Sequence, residues 1–410
     1  MAIDVPSDHR ELDLPISGLC FESNNTTTLD SSGGWFSTKI ASSRGPLISD
    51  FVTHEPGFSY STYGIHVGQD DRLTFLGENG KRIIGYFIDC RIDSPTSGRH
   101  VEAEFAPSAH RKLIIPRGVA HSFDNLEYIV TRDEPVWYSD NDNPAWNVDN
   151  DLISFSRATP AADAPRVRAN QFLLTADAHL FMSRLSQSLL SSPKAYLNRF
   201  QVQVQGAKHY IALEPKDWLD DEQEVLHQLQ PEYRVAGVTV QKNRYALTGR
   251  RSWTLVPNTE SCVCDILLLP PAGDSDTMFC HARTRKIYTF LDKEGADVEI
   301  VLFDARARSQ SEAVLERLKV KADPRVSVVI PHGVAYRFVT STPLVVRCEH
   351  TVFVDKSEPR TDIPMFNQDL IVTSEAALRE GMRITVPEVQ CPGSVVYQLA
   401  RVEVADGLAA

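Results

Sequence analysis

The sequence predicts an all-β protein in which one fold occurs twice. Runs that alternate apolar and polar residues, rich in β-branched and aromatic side chains, recur along the chain with turn residues between them. A segment of the second half also resembles a segment of the first half. A chain of 410 residues is long enough to hold two domains of ordinary size.

The internal repeat is clearest between GIHVGQDDRLTFL, which begins at Gly64, and FCHARTRKIYTFL, which begins at Phe279. The same offset, without a gap, aligns IIPRGVAHSF with VIPHGVAYRF and places Tyr336 at the position of His121. Farther along, NDLI at 150–153 matches QDLI at 368–371, a slightly larger offset. We therefore predict a tandem duplication.

The local pattern within each copy is that of short β-strands. KRIIGYFIDCRI and ADVEIVLFDARA both alternate with period two. Turn signals separate such runs at 77–80 and 292–295, and Pro-x-Gly at 116–118 and 331–333 marks a tight turn before the next strand. Strands joined by turns, without alternating helices, predict a small antiparallel barrel in each copy.

The predicted organisation is an N-terminal barrel at 1–155, a linker with helices at 156–232 and a C-terminal barrel at 233–410. The linker begins with the Pro- and Ala-rich segment SRATPAADAPR. TADAHLFMSRLSQSLL and PKDWLDDEQEVLHQL space their apolar residues as helices do, and we expect both to pack on the flank of a barrel.

Composition excludes several classes of function. The chain has 42 Lys+Arg against 54 Asp+Glu, a net charge of −12 without a basic run, so we expect no nucleic-acid partner. No apolar stretch is long enough to span a membrane, and the first residues do not resemble a signal peptide. The seven cysteines include no C-x-x-C pair, which favours reduced thiols and a cytoplasmic protein.

The first copy carries a set of residues suited to proton transfer. His66 ends the motif YGIH. With Asp124-Asn125 as a two-residue turn, we expect His121 to face Tyr128 across a hairpin. An acidic stretch follows at 146–151. A histidine beside a carboxylate is a general base and a tyrosine can return the proton, although a histidine in a strand is more often structural.

These residues also resemble a known family. SPTSGRHVEAEFAPSAHRKLIIPRGVAHSF, followed by YIVT and WNVDNDLI, is similar to the motifs of dTDP-4-dehydrorhamnose 3,5-epimerases, the RmlC-type cupins. The resemblance is clear over 64–153 and vague over 14–51. It implies two RmlC-like jelly-roll barrels, each of two sheets, and an epimerase that acts on a small-molecule substrate and needs no cofactor. Members of the family pair as dimers, so the two copies would form an intramolecular pseudo-dimer, with a homodimer as a further possibility.

The resemblance assigns roles residue by residue. His66 corresponds to the catalytic base and Tyr128 to the acid. Asp149 corresponds to the carboxylate behind the base, if one residue is inserted. His121 corresponds to a substrate contact. The further substrate contacts that we predict are Tyr63, Arg72 and Asn125.

Two departures from the family pattern concern the substrate. The family has an arginine three residues before its base, and this chain has Tyr63 there. The family motif D-x-R-G appears here as DSSG at 30–33, with Ser32 in place of arginine. Because arginine is the usual partner of a diphosphate, a second hypothesis keeps the fold but assigns a cyclisation, dehydration or isomerisation of a non-nucleotide metabolite.

The second copy has diverged further. His281 remains, but His121 is replaced by Tyr336, the expected counterpart of Tyr128 is Arg347, and the carboxylate position near Asn367 is not acidic. We interpret this copy as a structural partner. A separate active site around His281, Arg283, Tyr336 and Arg347 is the alternative, and a non-catalytic binding protein is a third hypothesis.

A metal-dependent cupin is disfavoured by the sequence. Pro116, Gly118, His121 and Asn125 match the second metal motif of cupins. The first motif needs H-x-H followed by a glutamate, and HVG at His66 fails this requirement, as does the matching segment of the second copy. We therefore expect no metal ligand set and no cofactor.

Overall fold

The computed structural model confirms the predicted all-β fold class, with many strands and little helix among the described residues. The residues that the structure describes are 2–5, 11–30, 36–41, 50–54, 57–77, 80–146, 148, 150–175, 178–179, 200–204, 207–211, 233–243, 245–247, 252–255, 264–269, 271, 276–291, 295–355 and 369–393. No helix among these residues is long and apolar enough to cross a membrane.

The first half of the chain contains sixteen strands and one short 3₁₀ helix, Ala161–Asp163, within the described residues. The strands are β1 (Ile3–Val5), β2 (Leu12–Asp13), β3 (Cys20–Ser23), β4 (Asn25–Asp30), β5 (Phe36–Ala41), β6 (Asp50–His54), β7 (Thr62–His66), β8 (Gln69–Leu76), β9 (Ile83–Asp89), β10 (His100–Phe105), β11 (Arg111–Ile115), β12 (Val119–Asp124), β13 (Val130–Asp133), β14 (Val136–Ser139), β15 (Leu152–Ser156) and β16 (Phe172–Leu173).

The second half contains fifteen described strands and the short helix α1 (Glu375–Arg379), which Ser374 caps through its side chain. The strands are β17 (Phe200–Val204), β18 (Ala207–Ile211), β19 (Thr239–Lys242), β20 (Tyr245–Leu247), β21 (Ser252–Leu255), β22 (Cys264–Leu269), β23 (Thr277–His281), β24 (Thr284–Phe290), β25 (Asp297–Asp304), β26 (Leu315–Lys321), β27 (Val326–Ile330), β28 (Val334–Thr340), β29 (Leu344–Val354), β30 (Leu370–Ser374) and β31 (Val389–Gln390).

These strands form two compact units. Unit 1 has the sheets β1-β10-β9-β12-β7-β15 and β2-β3-β11-β8-β13-β6-β21-β20, and its other strands are β14, β16, β17 and β18. Apolar side chains at alternate positions of these strands bury a common core, as period two requires. Phenylalanine rings pack edge-on within it: the centroids of Phe21 and Phe105 are 5.1 Å apart, and those of Phe75 and Phe123 are 5.2 Å apart.

Unit 2 repeats this architecture. Its sheets are β19-β27-β24-β29-β22-β5-β4, with β31 beside β29, and β26-β25-β28-β23-β30. Its core is also apolar and aromatic, and Tyr288, Tyr336 and Phe338 lie among the buried aliphatic side chains.

The strand registers of the two units correspond at the offsets that the sequence predicts. His121 is opposite Gly64 in unit 1, and Tyr336 is opposite Phe279 in unit 2. Each residue of the first pair is the same number of positions before its counterpart in the second pair. The last ladder of each unit follows the larger offset of NDLI and QDLI: β15 starts beside His66, and β30 starts beside His281. Both copies therefore use the same pairing scheme.

The compact units differ in one respect from the predicted division at 155 and 233. Unit 1 includes the hairpin β20–β21, in which β21 pairs with β6, and unit 2 includes β4 and β5, in which β5 pairs with β22. The boundaries themselves stay a prediction. The two linker helices lie outside the described residues except for positions 175, 178 and 179.

A buried aspartate, Asp89, holds the turn between β9 and β10. Asp89 accepts hydrogen bonds from Arg91, Ser94 and Thr96, the polar residues of the RIDSPTSG segment. Burial alone would raise its pKa, but these hydrogen bonds lower it. A Cβ on Gly118, where φ is +81°, would lie 2.4 Å from Arg91 Cγ, so only glycine fits against this turn.

Unit 2 has the same arrangement. Asp304 is fully buried and accepts from Arg306, Ser309 and Ser311. The SPTSG segment that carries much of the family resemblance therefore supplies hydroxyl donors to a structural turn, and in unit 2 Ser309 and Ser311 supply them instead.

The cysteines agree with the expectation of reduced thiols within the described side chains. The thiols of Cys90, Cys280, Cys348 and Cys391 are free and buried, and that of Cys20 is free and half-buried.

Candidate active site

Unit 1 encloses a cavity of about 270 Å³ between its two sheets. Alternate residues of β6, β7, β8, β12, β13 and β15 point into it. The lining residues are Val52, His54, Tyr60, Thr62, Gly64, His66, Asp71, Leu73, Phe75, His121, Ser122, Phe123, Leu126, Thr131, Asp133, Leu152 and Ser154. None of these lining residues is a lysine or an arginine.

His66 is paired with Asp151 at one end of the cavity. Because His66 ends β7 and lies opposite the first residue of β15, the preceding Asp151 falls beside the imidazole. Asp151 Oδ2 is 2.8 Å from His66 Nδ1. Its Oδ1 accepts hydrogen bonds from the Gly68 amide at 2.6 Å and from Trp146 Nε1 at 2.5 Å. This fixed carboxylate accepts a hydrogen bond from the Nδ1–H group and leaves Nε2 facing the cavity.

Asp71 and His121 lie on the open side of the His66 ring. Asp71 carboxylate oxygens are 3.9 Å from His66 Nε2 and 3.4 Å from His121 Nε2. The two imidazoles stack with centroids 5.9 Å apart. Gln69 Nε2 donates to Asp71 at 2.6 Å, and Gln69 Oε1 accepts from Trp137 Nε1 at 2.8 Å, so the Asp71 carboxylate is also held in place.

The two histidines differ in protonation. Burial would lower the pKa of His66, but the charges of Asp71 and Asp151, with the Asp151 hydrogen bond, outweigh it and raise the pKa to about 9. Burial lowers the pKa of His121, and the positive charge of His66 lowers it further. The negative charge of Asp71 acts in the other direction but does not outweigh these two effects. The arrangement therefore holds an imidazolium beside a neutral imidazole at neutral pH.

Two buried side-chain atoms in the cavity wall, His54 Nε2 and Thr131 Oγ1, have no hydrogen-bond partner among the described residues. Burial lowers the pKa of His54 to about 4, so this ring is neutral. His54 Nδ1 lies 3.1 Å from the Ile129 carbonyl and donates to it, which makes Nε2 an acceptor. Buried polar groups are normally satisfied, so this wall is suited to a hydroxylated ligand.

Tyr60 is the tyrosine that reaches the cavity, and the sequence reasoning missed it. Its ring packs edge-on against Phe58, with centroids 4.7 Å apart. Burial and the charge of Asp133 raise its pKa to about 12, so the phenol stays protonated. The sequence offers no distinct signal for it, since it lies in a loop before β7.

The predicted hairpin between His121 and Tyr128 is wrong. β12 pairs with β7 and β9 in one sheet, whereas β13 pairs with β6 and β8 in the other. The connecting residues form an arch between the sheets, anchored by the buried Leu126 and Ile129. Tyr128 has a φ of +59°, packs under Lys81 and does not line the cavity.

Three predicted substrate contacts also lie elsewhere. Tyr63 is on the outer face of β7 and stacks on Phe155 at 5.2 Å. Arg72 lies on the face of β8 opposite Asp71, and Asn125 is exposed in the arch. Adjacent strand residues point to opposite faces, so a residue next to a cavity residue faces away from the cavity.

The carboxylate behind His66 is Asp151, not the predicted Asp149. The strand register places the residue immediately before β15 at the imidazole, and that residue is Asp151. Asp149 lies outside the described residues, as do three of the four residues of the DSSG motif.

In unit 2 the corresponding histidine is enclosed. His281 Nδ1 is 3.1 Å from Asp369 Oδ1, and its Nε2 is 3.2 Å from the Tyr336 hydroxyl, which also bonds to the Tyr288 hydroxyl. Burial and the charge of Lys286 lower the pKa of His281 to about 4, so the ring is neutral. Burial alone would raise the pKa of Asp369, but the hydrogen bonds from His281 and from the Arg283 amide, with the charge of Lys286, hold it below its ordinary value.

Two predictions about unit 2 are corrected by this geometry. The carboxylate position is acidic, because Asp369 in QDLI corresponds to Asp151 in NDLI rather than to the residue near Asn367. Arg347 corresponds to Arg132: each lies opposite a threonine of the neighbouring strand and pairs with a glutamate two residues later. The Arg283 amide donates to Asp369 at 2.8 Å.

Comparison with known proteins confirms the resemblance to the epimerase family in the part of the chain that holds the cavity. Residues 62–148 match the family model of dTDP-4-dehydrorhamnose 3,5-epimerase. No curated protein matches the chain at a significant level. The family match supports an epimerase or isomerase function.

Solved structures of similar proteins include the dTDP sugar isomerase of Desulfovibrio desulfuricans G20, at 16% identity and a TM-score of 0.27, covering 35% of this chain and 89% of that one. The dTDP-6-deoxy-D-glucose-3,5-epimerase of Legionella pneumophila, solved with dTDP-4-keto-L-rhamnose, has 16% identity and a TM-score of 0.27 and covers 41% and 89%. The TDP-quinovose 3,4-ketoisomerase of Campylobacter jejuni has 11% identity and a TM-score of 0.23 and covers 30% and 91%.

Proposed function

We propose that unit 1 is an epimerase-type isomerase that moves a proton at a carbon next to a carbonyl group, with His66 as the base. The observation that carries the proposal is the His66–Asp151 pair, whose free Nε2 opens into a cavity. A fixed carboxylate on Nδ1 sets the tautomer and stabilises the imidazolium that forms when Nε2 accepts the substrate proton. The reaction needs no organic cofactor.

Tyr60 is the acid in this proposal, in place of Tyr128. It lines the same cavity, and its raised pKa keeps the phenol protonated, as a donor to the opposite face of the carbanion must be. His121 contacts the substrate. Because His66 must be neutral to accept a proton and its pKa is about 9, we expect the rate to rise as the pH approaches 9.

The substrate that suits the cavity is a keto sugar or a similar hydroxylated carbonyl compound. His54 and Thr131 offer polar atoms for hydroxyl groups, and about 270 Å³ suits a group of monosaccharide size. Without Lys or Arg among the lining residues, and with two carboxylates, the cavity does not suit a diphosphate. A nucleotide would extend out of it, and a non-nucleotide substrate is the second candidate that this observation favours.

We further propose that unit 2 arose by tandem duplication and serves as a structural partner. The matched strand registers and the matched Asp89 and Asp304 turns support the duplication. His281 Nε2 contacts the Tyr336 hydroxyl instead of opening into a cavity, which supports the loss of chemistry.

Deuterium exchange tests the proposed function. The full chain is incubated in D₂O with free 4-keto sugars and with their dTDP derivatives, and NMR follows deuterium at the carbon next to the ketone and the appearance of the epimer. Tyr60→Phe should lower epimer formation by about 10²-fold, because only the phenol proton is removed. Tyr128→Phe is the matched control and should leave the rate unchanged. Wild type that exchanges no proton with any of these compounds would refute the proposal, as would a loss confined to Tyr128→Phe.

A further inference from the structure

We propose that His66, Asp71 and His121 form a site for a divalent transition metal, and that the bound metal regulates unit 1. The regulatory part rests on the proposed function, because a histidine whose Nε2 is held by a metal cannot accept a substrate proton. The binding part rests on geometry alone.

The three donors converge on one point of the cavity wall. One ligand atom from each residue lies within 4.8 Å of the other two. A metal with bond lengths of about 2.0–2.2 Å in tetrahedral geometry separates its ligand atoms by roughly 3.4 Å. Asp71 Oδ2 is 3.4 Å from His121 Nε2, and Asp71 Oδ1 is 3.9 Å from His66 Nε2. The donor atoms are therefore near the spacing of a metal site, and metal binding would draw them together.

Each donor is already oriented by a second residue. Asp151 accepts from His66 Nδ1, the carboxylate–histidine pairing that fixes metal-binding imidazoles with Nε2 toward the ion. Gln69 holds the Asp71 carboxylate at 2.6 Å. His121 Nδ1 lies 3.4 Å from the Val119 carbonyl, which favours the tautomer with Nε2 free for a metal. Metal sites characteristically have such a second set of contacts, and unpartnered surface carboxylates lack it.

The donor types identify the class of metal. Two imidazoles and one carboxylate suit Zn²⁺, Fe²⁺, Co²⁺ or Ni²⁺, whereas Ca²⁺ and Mg²⁺ prefer oxygen donors throughout. Three protein ligands leave at least one coordination position facing the cavity. The sequence pattern did not indicate this set, because the third ligand comes from β8 in the second sheet rather than from an H-x-H motif.

Unit 2 lacks this set at the corresponding positions. Lys286 replaces Asp71 and lies 2.7 Å from His350 Nδ1, and Tyr336 replaces His121. A cation in place of the carboxylate repels a metal ion, so we expect one metal per chain, bound in unit 1.

Metal titration of the chelator-treated full chain tests the binding. Zn²⁺ is followed by calorimetry, and Co²⁺ by its visible absorption, which reports nitrogen and oxygen ligands directly. We expect one ion per chain. Asp71→Asn and His121→Ala should each weaken binding at least about tenfold, in keeping with the loss of one ligand of three. Asp133→Asn is the matched control, because it removes a carboxylate from the same cavity without removing a ligand, and it should bind as wild type does.

The outcomes separate the two proposals. No binding by wild type, or equal weakening by Asp71→Asn and Asp133→Asn, overturns the metal site whatever the protein catalyses. If the protein binds the metal but the chelator-treated protein exchanges no substrate proton, the metal site is supported and the proposed function is refuted. If both occur, saturating Zn²⁺ should lower the exchange rate by at least about tenfold. An exchange rate that the bound metal leaves unchanged or raises overturns the regulatory part.

Discussion

Units 1 and 2 share a strand register and differ in what fills the barrel. At three corresponding interior positions, unit 1 has Asp71, Leu73 and His121, and unit 2 has Lys286, Tyr288 and Tyr336. The larger phenol rings of unit 2 extend to the histidine and bond to it and to each other. Unit 2 therefore keeps the strand pairing and the histidine–aspartate pair, although the Nε2 atom of its histidine is not accessible. A histidine–aspartate pair by itself does not identify an active site.

The largest expected effect concerns what the units share. Asp89 and Asp304 are both fully buried and hold the same turn, so replacing either with asparagine leaves an arginine and two hydroxyl donors poorly satisfied. Each substitution should lower the free energy of unfolding by about 3–5 kcal/mol, measured by urea denaturation. A loss in one unit only would show that the two turns are not equivalent.

The same aspartates predict an acid dependence. Both pKa values are lowered in the folded protein, so each carboxylate contributes stability that is fully present above the ordinary pKa of 3.8 and is lost as the pH falls below it. Wild-type unfolding free energy should therefore decline below pH 4, and the decline should be smaller in Asp89→Asn. An equal decline in both proteins would assign the acid sensitivity to other groups.

The next effect separates the units. In Asp151→Asn the Oδ1 acceptor for Gly68 and Trp146 is kept, but an amide donor faces His66 Nδ1 and imposes the wrong tautomer. Proton exchange should fall by about 10²-fold or more at unchanged melting temperature. Asp369→Asn in unit 2 is the matched variant and should leave exchange unaffected. The reverse result would locate the chemistry in unit 2.

The smallest of these effects tests whether the larger side chains inside unit 2 are what closes its interior. Leu73→Tyr gives unit 1 the ring that unit 2 has at Tyr288 and should occupy part of the cavity. KM for the substrate should rise by about tenfold, because Leu73 lines the cavity and the added ring takes up part of its volume. Leu73 also belongs to the buried core, so the melting temperature is measured on the same variant. Leu73→Met, of similar volume to leucine, is the control. An unchanged KM in Leu73→Tyr would mean that the substrate binds elsewhere.

The sequence was sufficient for features that depend on local pattern or on repetition. Alternation predicted the strands, and the strand registers of the two units correspond at the two offsets of the predicted repeat. His66 and His121 were found because they stand at matched positions in recurrent motifs. Asp151 and Asp369 were within reach of the same reasoning, since both are the aspartate in NDLI and QDLI.

The rest of the site depends on which sheet each strand enters. Two short strands joined by Asp124-Asn125 can form a hairpin or an arch, and local pattern does not distinguish them, so Tyr128 was misplaced. Asp71 approaches His66 and His121 from the opposite sheet, a contact that no spacing along the chain reveals. Tyr63 is a different case, because strand alternation places it on the face opposite His66.

The central claim is that His66 transfers a proton and its counterpart His281 does not. The direct measurement is deuterium incorporation from D₂O into a 4-keto sugar by wild type, His66→Asn and His281→Asn, all chelator-treated and all shown to be folded by circular dichroism. We predict that incorporation falls by about 10²–10⁴-fold in His66→Asn and is unchanged in His281→Asn. Full incorporation by His66→Asn, or its loss in His281→Asn alone, would contradict the account.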